Sequence, residues 1–166
     1  MAALPLSERA LREIECRLRK IREADDYHTD AGRQVFRARR SLDQVELPAV
    51  VIWSQAKEYR NDANGNKTST DLRVDIEGFV PSDHESTGEA MEFIEADIKR
   101  ALFSEPHSRL SDEAGGIGPM QMESSVSTAR LDGGQGEIVR LSIKITYVEG
   151  IGNPSGKEPA HAANRF

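Results

Sequence analysis

The sequence predicts an α+β domain, a largely antiparallel sheet of about five strands with two helices packed on one face. Three observations lead there. Two segments carry apolar residues at helical spacing on one face only, and several others alternate apolar with polar residues. Turn signals rich in Asn, Asp and Gly then join the alternating segments into two hairpins. The chain of 166 residues suits a single domain, taken as residues 1–149, followed by a flexible C-terminal tail, 150–166. Leu, Ile, Val and Phe together number 36, just above the ~20% level below which disorder sets in, so the core is lean.

The first helix is expected over about residues 7–24. Ser7 offers an N-cap hydroxyl, and Leu11, Ile14, Leu18 and Ile21 form one apolar stripe. Glu8/Arg12, Glu13/Arg17 and Glu15/Arg19 are acid-first pairs four apart on the other face. A loop, 27–32, leads to a short strand from Gln34 to Arg40, with Phe36 and Ala38 facing inward and Val35, Arg37 and Arg39 facing out. The next strand, Leu47 to about Tyr59, is apolar on both faces at Val50-Val51-Ile52-Trp53 and reads as central. Asn-Gly at 64–65 tolerates the positive φ of a hairpin turn. In the returning strand Leu72, Val74, Ile76 and Val80 alternate with Arg73, Asp75 and Glu77 until Pro81 ends it.

Ser86 and Glu89 form a capping box for the second helix, which runs to about Phe103 on a stripe of Met91, Ile94, Ile98, Ala101 and Leu102. Residues 104–118 are polar and Gly-rich, a long loop of the kind partners engage. A strand from Met120 to about Arg130, a Gly-rich turn, and a strand from Glu137 to Val148 close the domain. In the last strand Val139, Leu141, Ile143, Ile145 and Tyr147 alternate with polar residues.

Net charge is −6, but residues 1–40 carry +3 and the rest −9. An acidic chain is poorly suited to general duplex-DNA binding; the asymmetry instead fits head-to-tail contact between copies. The one cysteine, Cys16, excludes an intrachain disulfide and any Cys-x-x-Cys motif, and it reads as a partly exposed, inert thiol. The longest apolar run, 48–53, is far too short to span a bilayer, and the N-terminus reaches charge too early for a secretory core. Synthesis and residence in a cytoplasm are expected.

Catalytic patterns are not evident. His28, His84, His107 and His161 fall in loops or the tail without metal-ligand spacing, and Asp83-His84-Glu85 reads as a solvated helix-entry loop. Ala114-Gly115-Gly116-Ile117-Gly118-Pro119 lacks the Lys-Ser/Thr of a phosphate loop. No metal or other cofactor is expected, and no enzyme activity. Arg33, Arg37, Arg39 and Arg40 make the best nucleic-acid candidate, but only Phe36 is interleaved among them, so a solvated or subunit-facing strand is the better reading. By period, Trp53 and Phe79 lie opposite their strands' main apolar sets. Core packing is the default there, and a buried subunit interface, which favours aromatics, is its competitor.

The stretch Asp25-Asp26-Tyr27-His28-Thr29-Asp30-Ala31-Gly32-Arg33-Gln34-Val35-Phe36-Arg37-Ala38-Arg39-Arg40, leading into Leu47-Pro48-Ala49-Val50-Val51-Ile52, resembles the opening of tail terminator proteins of long-tailed bacteriophages. A second helix ending like 96–103 and a last strand like 141–148 extend the likeness over roughly residues 7–149. The resemblance implies a non-enzymatic α+β subunit of a homohexameric ring in the virion, at the head-proximal end of the tail, assembled in the host cytoplasm. Such a ring caps the tail tube, ends its polymerisation and meets the head–tail connector, so the implied partners are copies of itself, the tube protein and a neck protein. Membranes and specific nucleic acids are not among them. Subunit or partner contacts are expected at Arg33, Arg37, Arg39, Arg40, Trp53 and Phe79, with the 104–118 loop as a further contributor. The alternative function is a small nucleic-acid-binding or regulatory protein using Arg33–Arg40.

Overall fold

The computed structural model describes residues 4–63, 65–82, 87–104, 110, 117–129 and 136–152. Seven main elements follow one another: α1 (Leu6–Leu18), β1 (Val35–Arg37), β2 (Ala49–Asn61), β3 (Lys67–Val80), α2 (Thr87–Phe103), β4 (Ile117–Ala129) and β5 (Glu137–Gly150). The strands form one sheet in the order β1-β2-β3-β5-β4, antiparallel except where β1 runs parallel to β2. The fold is α+β, as the patterning indicates. Among the described residues no helix is long and apolar enough to cross a membrane.

Alternation decides which face of the sheet is covered. Val50, Ile52, Leu72, Val74, Ile76, Val80, Val139, Leu141, Ile143 and Ile145 point to one side and form a single core with Leu6, Ile14 and Leu18 of α1 and Ile94, Ile98 and Leu102 of α2. Gly78 lets α2 pack closely, since a Cβ there would lie 3.0 Å from the Ile94 side chain, which would have to shift to admit it. Arg17, although charged, is buried. Its guanidinium reaches Glu13 at 2.9 Å and the Leu102 carbonyl of α2 at 3.2 Å, placing a cation at the negative end of that helix.

The three acid-first pairs on α1 all form, Glu8–Arg12, Glu13–Arg17 and Glu15–Arg19. The helix is shorter than the periodicity predicts. It ends at Leu18 in a tightened last turn, where the Lys20 N–H donates to Arg17 O and the Ile21 N–H to Leu18 O, three residues back each time; just beyond it the Gly32 N–H donates to Ile21 O at 3.0 Å. Ile21 stays buried beyond the helix end. At the other end Pro5, not Ser7, is the N-cap residue; its carbonyl accepts the Arg9 N–H, and Ser7 Oγ accepts from Lys57 Nζ instead. The capping box at Ser86, the 105–109 and 111–116 parts of the long loop, residues 131–135 and the tail from 153 lie outside the described residues.

The strand expected over 34–40 is only three residues long, and its sidedness is reversed. Val35 faces the core, Phe36 is half-buried, and Ala38 is exposed with φ of 51°. β1 is an edge strand with α1 over one face only, so the residue under α1 goes inward whatever its neighbour's size. β2 is central only where β1 flanks it, at Val50–Ile52; from Ser54 onward its residues are exposed. β4 starts earlier than predicted, at Ile117.

Gly32 has no room for a side chain, since a Cβ would sit 2.6 Å from the backbone oxygens of both Leu18 and Ile21. Gly32→Ala should therefore cost roughly 1–3 kcal/mol of stability, the range of an overpacked site that must shift backbone. Urea denaturation of the two proteins measures it.

Candidate functional site

The segment that carries the family resemblance, 25–40, is tied to both helices by charged side chains. Asp97 lies on α2 between Ile94 and Ile98 and is 1% exposed. Its carboxylate accepts the His28 N–H at 3.0 Å, the Thr29 N–H at 2.8 Å and the Thr29 hydroxyl at 2.8 Å. Three donors compensate a buried carboxylate that would otherwise be costly. The His28 ring stacks on Phe93 with centroids 4.7 Å apart, and Arg100 lies over the Tyr27 ring at 4.8 Å. Asp30 accepts the Glu23 N–H at 3.1 Å and pairs with Arg33 at 2.9 Å. The loop thus bridges the end of α1 and the outer side of α2.

This loop forms one wall of a cleft of about 390 Å³. Leu47, Pro48, Val80, Pro81, Ala90 and Phe93 supply its apolar surface, while Glu23, His28, Asp30, Arg33 and Glu46 supply charge or polarity. Thr29 and Asp30 are already committed to loop hydrogen bonds. The residues that could have added metal ligands, Asp83, His84 and Glu85, lie outside the described residues, as do His107 and His161. Among the described residues no three His, Cys, Asp or Glu side chains gather as a metal group. Cys16 is exposed.

The four arginines singled out by sequence do not form one patch. Arg33 is exposed and paired with Asp30. Arg37 crosses to α1, where its two terminal nitrogens each meet one oxygen of Glu8 at 2.8 Å. Arg39 lies over the Phe36 ring at 4.4 Å and donates to the Ser41 carbonyl, and Arg40 is exposed. Arg37 is therefore spent on a contact within the molecule, while Arg33 stays exposed although it pairs with Asp30.

Trp53 and Phe79 do lie on the sheet face opposite the helices. Phe79 is buried and pairs across from Ala49, and Val51 is buried on the same side. Trp53 Nε1–H donates to Glu77 at 2.8 Å, and Arg140 Nε donates to the other Glu77 oxygen at 2.9 Å. Further along, Asp75 accepts from Gln55 and Ser142, and Asp71 accepts from Thr146 and pairs with Arg60. The Thr146 hydroxyl above all, then Arg60, holds the Asp71 carboxyl below its ordinary pKa against burial. This second face is a flat polar ladder with an aromatic corner.

Sequence reasoning missed Asp97, Glu77 and the Glu8–Arg37 tie. Asp97 left one signal, an acid set within the apolar stripe three residues after Ile94 and four before Ala101. The other two needed the fold, because their partners are 29 and 63 residues away.

Two outcomes follow for this region. Asp97→Ala leaves the His28 and Thr29 donors without their acceptor and should cost about 3 kcal/mol, with Asp97→Asn costing less; denaturation midpoints and faster tryptic nicking at Arg22 or Arg33 would show it. Hydrogen bonding to Arg37 above all, then to Arg12, brings Glu8 down from 4.5 to about 2 despite burial. Its folded pKa is depressed, so its stabilisation is full above pH 4.5 and lost as pH falls through about 2. Glu8→Gln should remove about 1 kcal/mol at neutral pH, an amount limited by solvent screening, and nothing once Glu8 is protonated in both states. No protein-family model matches the chain, and no curated protein matches it.

Proposed function

We propose that this chain is a structural subunit of the phage tail terminator type, which assembles into a hexameric ring on the head-proximal end of the tail tube, stops tube growth and meets the neck. The observation that carries this reading is the placement of the resembling segment. Residues 25–40 are tied to α2 by the His28 and Thr29 donors on Asp97 and to α1 by the Arg37–Glu8 pair, while Asp30 and Arg33 pair within the loop itself. A motif spent on holding the subunit's shape suits a protein that works by assembly. The same pairs weigh against the nucleic-acid alternative, which needs free cations for phosphate.

A ring closed by head-to-tail contacts requires two different surfaces on each copy. The polar second face, with Trp53 and Phe79 at its corner, and the exposed segment Ala38–Ser41 supply candidates of unlike character. Arg39 and Arg40 are the arginines of the original four best placed for such a contact.

The test is tail length. Purified tube protein polymerised with this chain should give tubes of arrested growth bearing a ring at one end in electron micrographs. Tubes that grow at the same rate and to the same length with or without it would contradict the proposal.

A further inference from the structure

The sheet has two lateral edges, and they are guarded very differently. A free strand edge offers unpaired N–H and C=O groups to any incoming strand, and proteins blunt it with charges, proline, bulges or a cover. On the β2 side, β1 covers Val50–Ile52, the register shifts between Ser54 and Lys57, and Lys57, Glu58 and Arg60 follow. On the β4 side the guards are all in the first half: Pro119, register shifts at Ile117/Met120 and Met122/Ser124, and Glu123. From Ser124 to Ala129 the strand is in regular register with β5 and reads Ser-Ser-Val-Ser-Thr-Ala, with no charge, proline or glycine. No described strand lies beyond it, and Gln121–Val126 are exposed throughout. Val126, on the polar face beside Arg140, is 51% exposed.

We propose that Ser124–Ala129 is a docking edge for a second copy of this chain, which pairs its own β4 antiparallel to it about a twofold axis near Val126. The segment is complementary to itself. With Val126 opposite Val126, Ser124 meets Thr128 and Ser125 meets Ser127, and no like charges face each other. An exposed valine becomes a cross-strand apolar pair, the unit by which sheets gain stability. The β2 edge of another copy is the poorer partner, since its bulge and three charged residues oppose regular pairing. α2 packs chiefly over β3 and β5 and meets β4 from the helix-covered face, where the Ser125 hydroxyl donates to Glu95 at 2.8 Å, a contact that leaves the outward-facing backbone of the edge for the second copy. Joined this way, two five-stranded sheets become one continuous sheet. The contact is independent of the ring reading and stands or falls separately from it.

The experiment uses full-length chains carrying Cys16→Ser, so that one engineered thiol remains. Val126→Cys should cross-link under mild oxidation to a covalent dimer, while Ser54→Cys, on the β2 edge, should not. Val126→Lys, at an exposed position that leaves the core untouched, should lower the light-scattering mass of the protein at least twofold. A Val126→Cys chain that cross-links no better than the Ser54→Cys chain overturns the proposal, as does an unchanged mass for Val126→Lys. Cross-linking that appears only when the Val126→Cys and Ser54→Cys chains are mixed overturns it too, in favour of β4 against β2. Rings seen in micrographs without any covalent dimer of the Val126→Cys chain would leave the tail-terminator reading standing and remove this contact alone.

Discussion

A buried carboxylate, Asp97, is the constraint on which the arrangement of the loop region depends. It sits on the apolar stripe of α2 at 1% exposure, and two backbone amides and a hydroxyl from residues 28–29 converge on it. A carboxylate in that position without donors would be strongly destabilising, so helix and loop hold each other in place. Everything downstream follows in order: the loop delivers Gly32 against the end of α1, and Gly32 delivers β1 alongside β2. The Leu18 and Ile21 carbonyls leave no space for a Cβ at Gly32, so the close approach requires glycine there. The cleft beside the loop has its shape for the same reason.

The two faces of the sheet divide the work. The helix-covered face is aliphatic and continuous, as expected where a sheet meets amphipathic helices. The other face satisfies its polar groups across strands, Glu77 between Trp53 and Arg140 and Asp71 between Arg60 and Thr146, and so presents hydrogen-bonded charge instead of bare carboxylates. Surfaces of this kind suit wet, polar contacts between folded partners. The chain's uneven charge has a local counterpart too: much of the positive charge in the first forty residues is neutralised within α1 and by Glu8 and Asp30.

The sequence made most of the fold legible wherever a period of two or 3.6 was sustained. The last strand is the clearest case: Val139, Leu141, Ile143, Ile145 and Tyr147 are all buried, as their alternation requires. It failed where an element was short and its sidedness depended on what covered it. Phe36 is larger than Val35, yet Val35 goes inward because α1 lies over that side of an edge strand. The end of α1 was equally hidden, since the apolar period continues to Ile21 while the backbone has already tightened into three-residue turns after Leu18. At the candidate site, the positions of Trp53 and Phe79 followed from period, whereas the partners of Arg33 and Arg37 and the role of Asp97 came from contacts that only the folded chain makes. Charge runs look like surface patches in one dimension, and only the fold shows which charges are spent internally.

Native-state hydrogen exchange at the amides of His28 and Thr29 tests the central tie most directly. If Asp97 holds this loop, both amides exchange only in openings that also expose neighbouring amides of α2, and their protection approaches that of the core strands. Exchange at the rate of an open surface loop, with α2 still protected, would contradict the account.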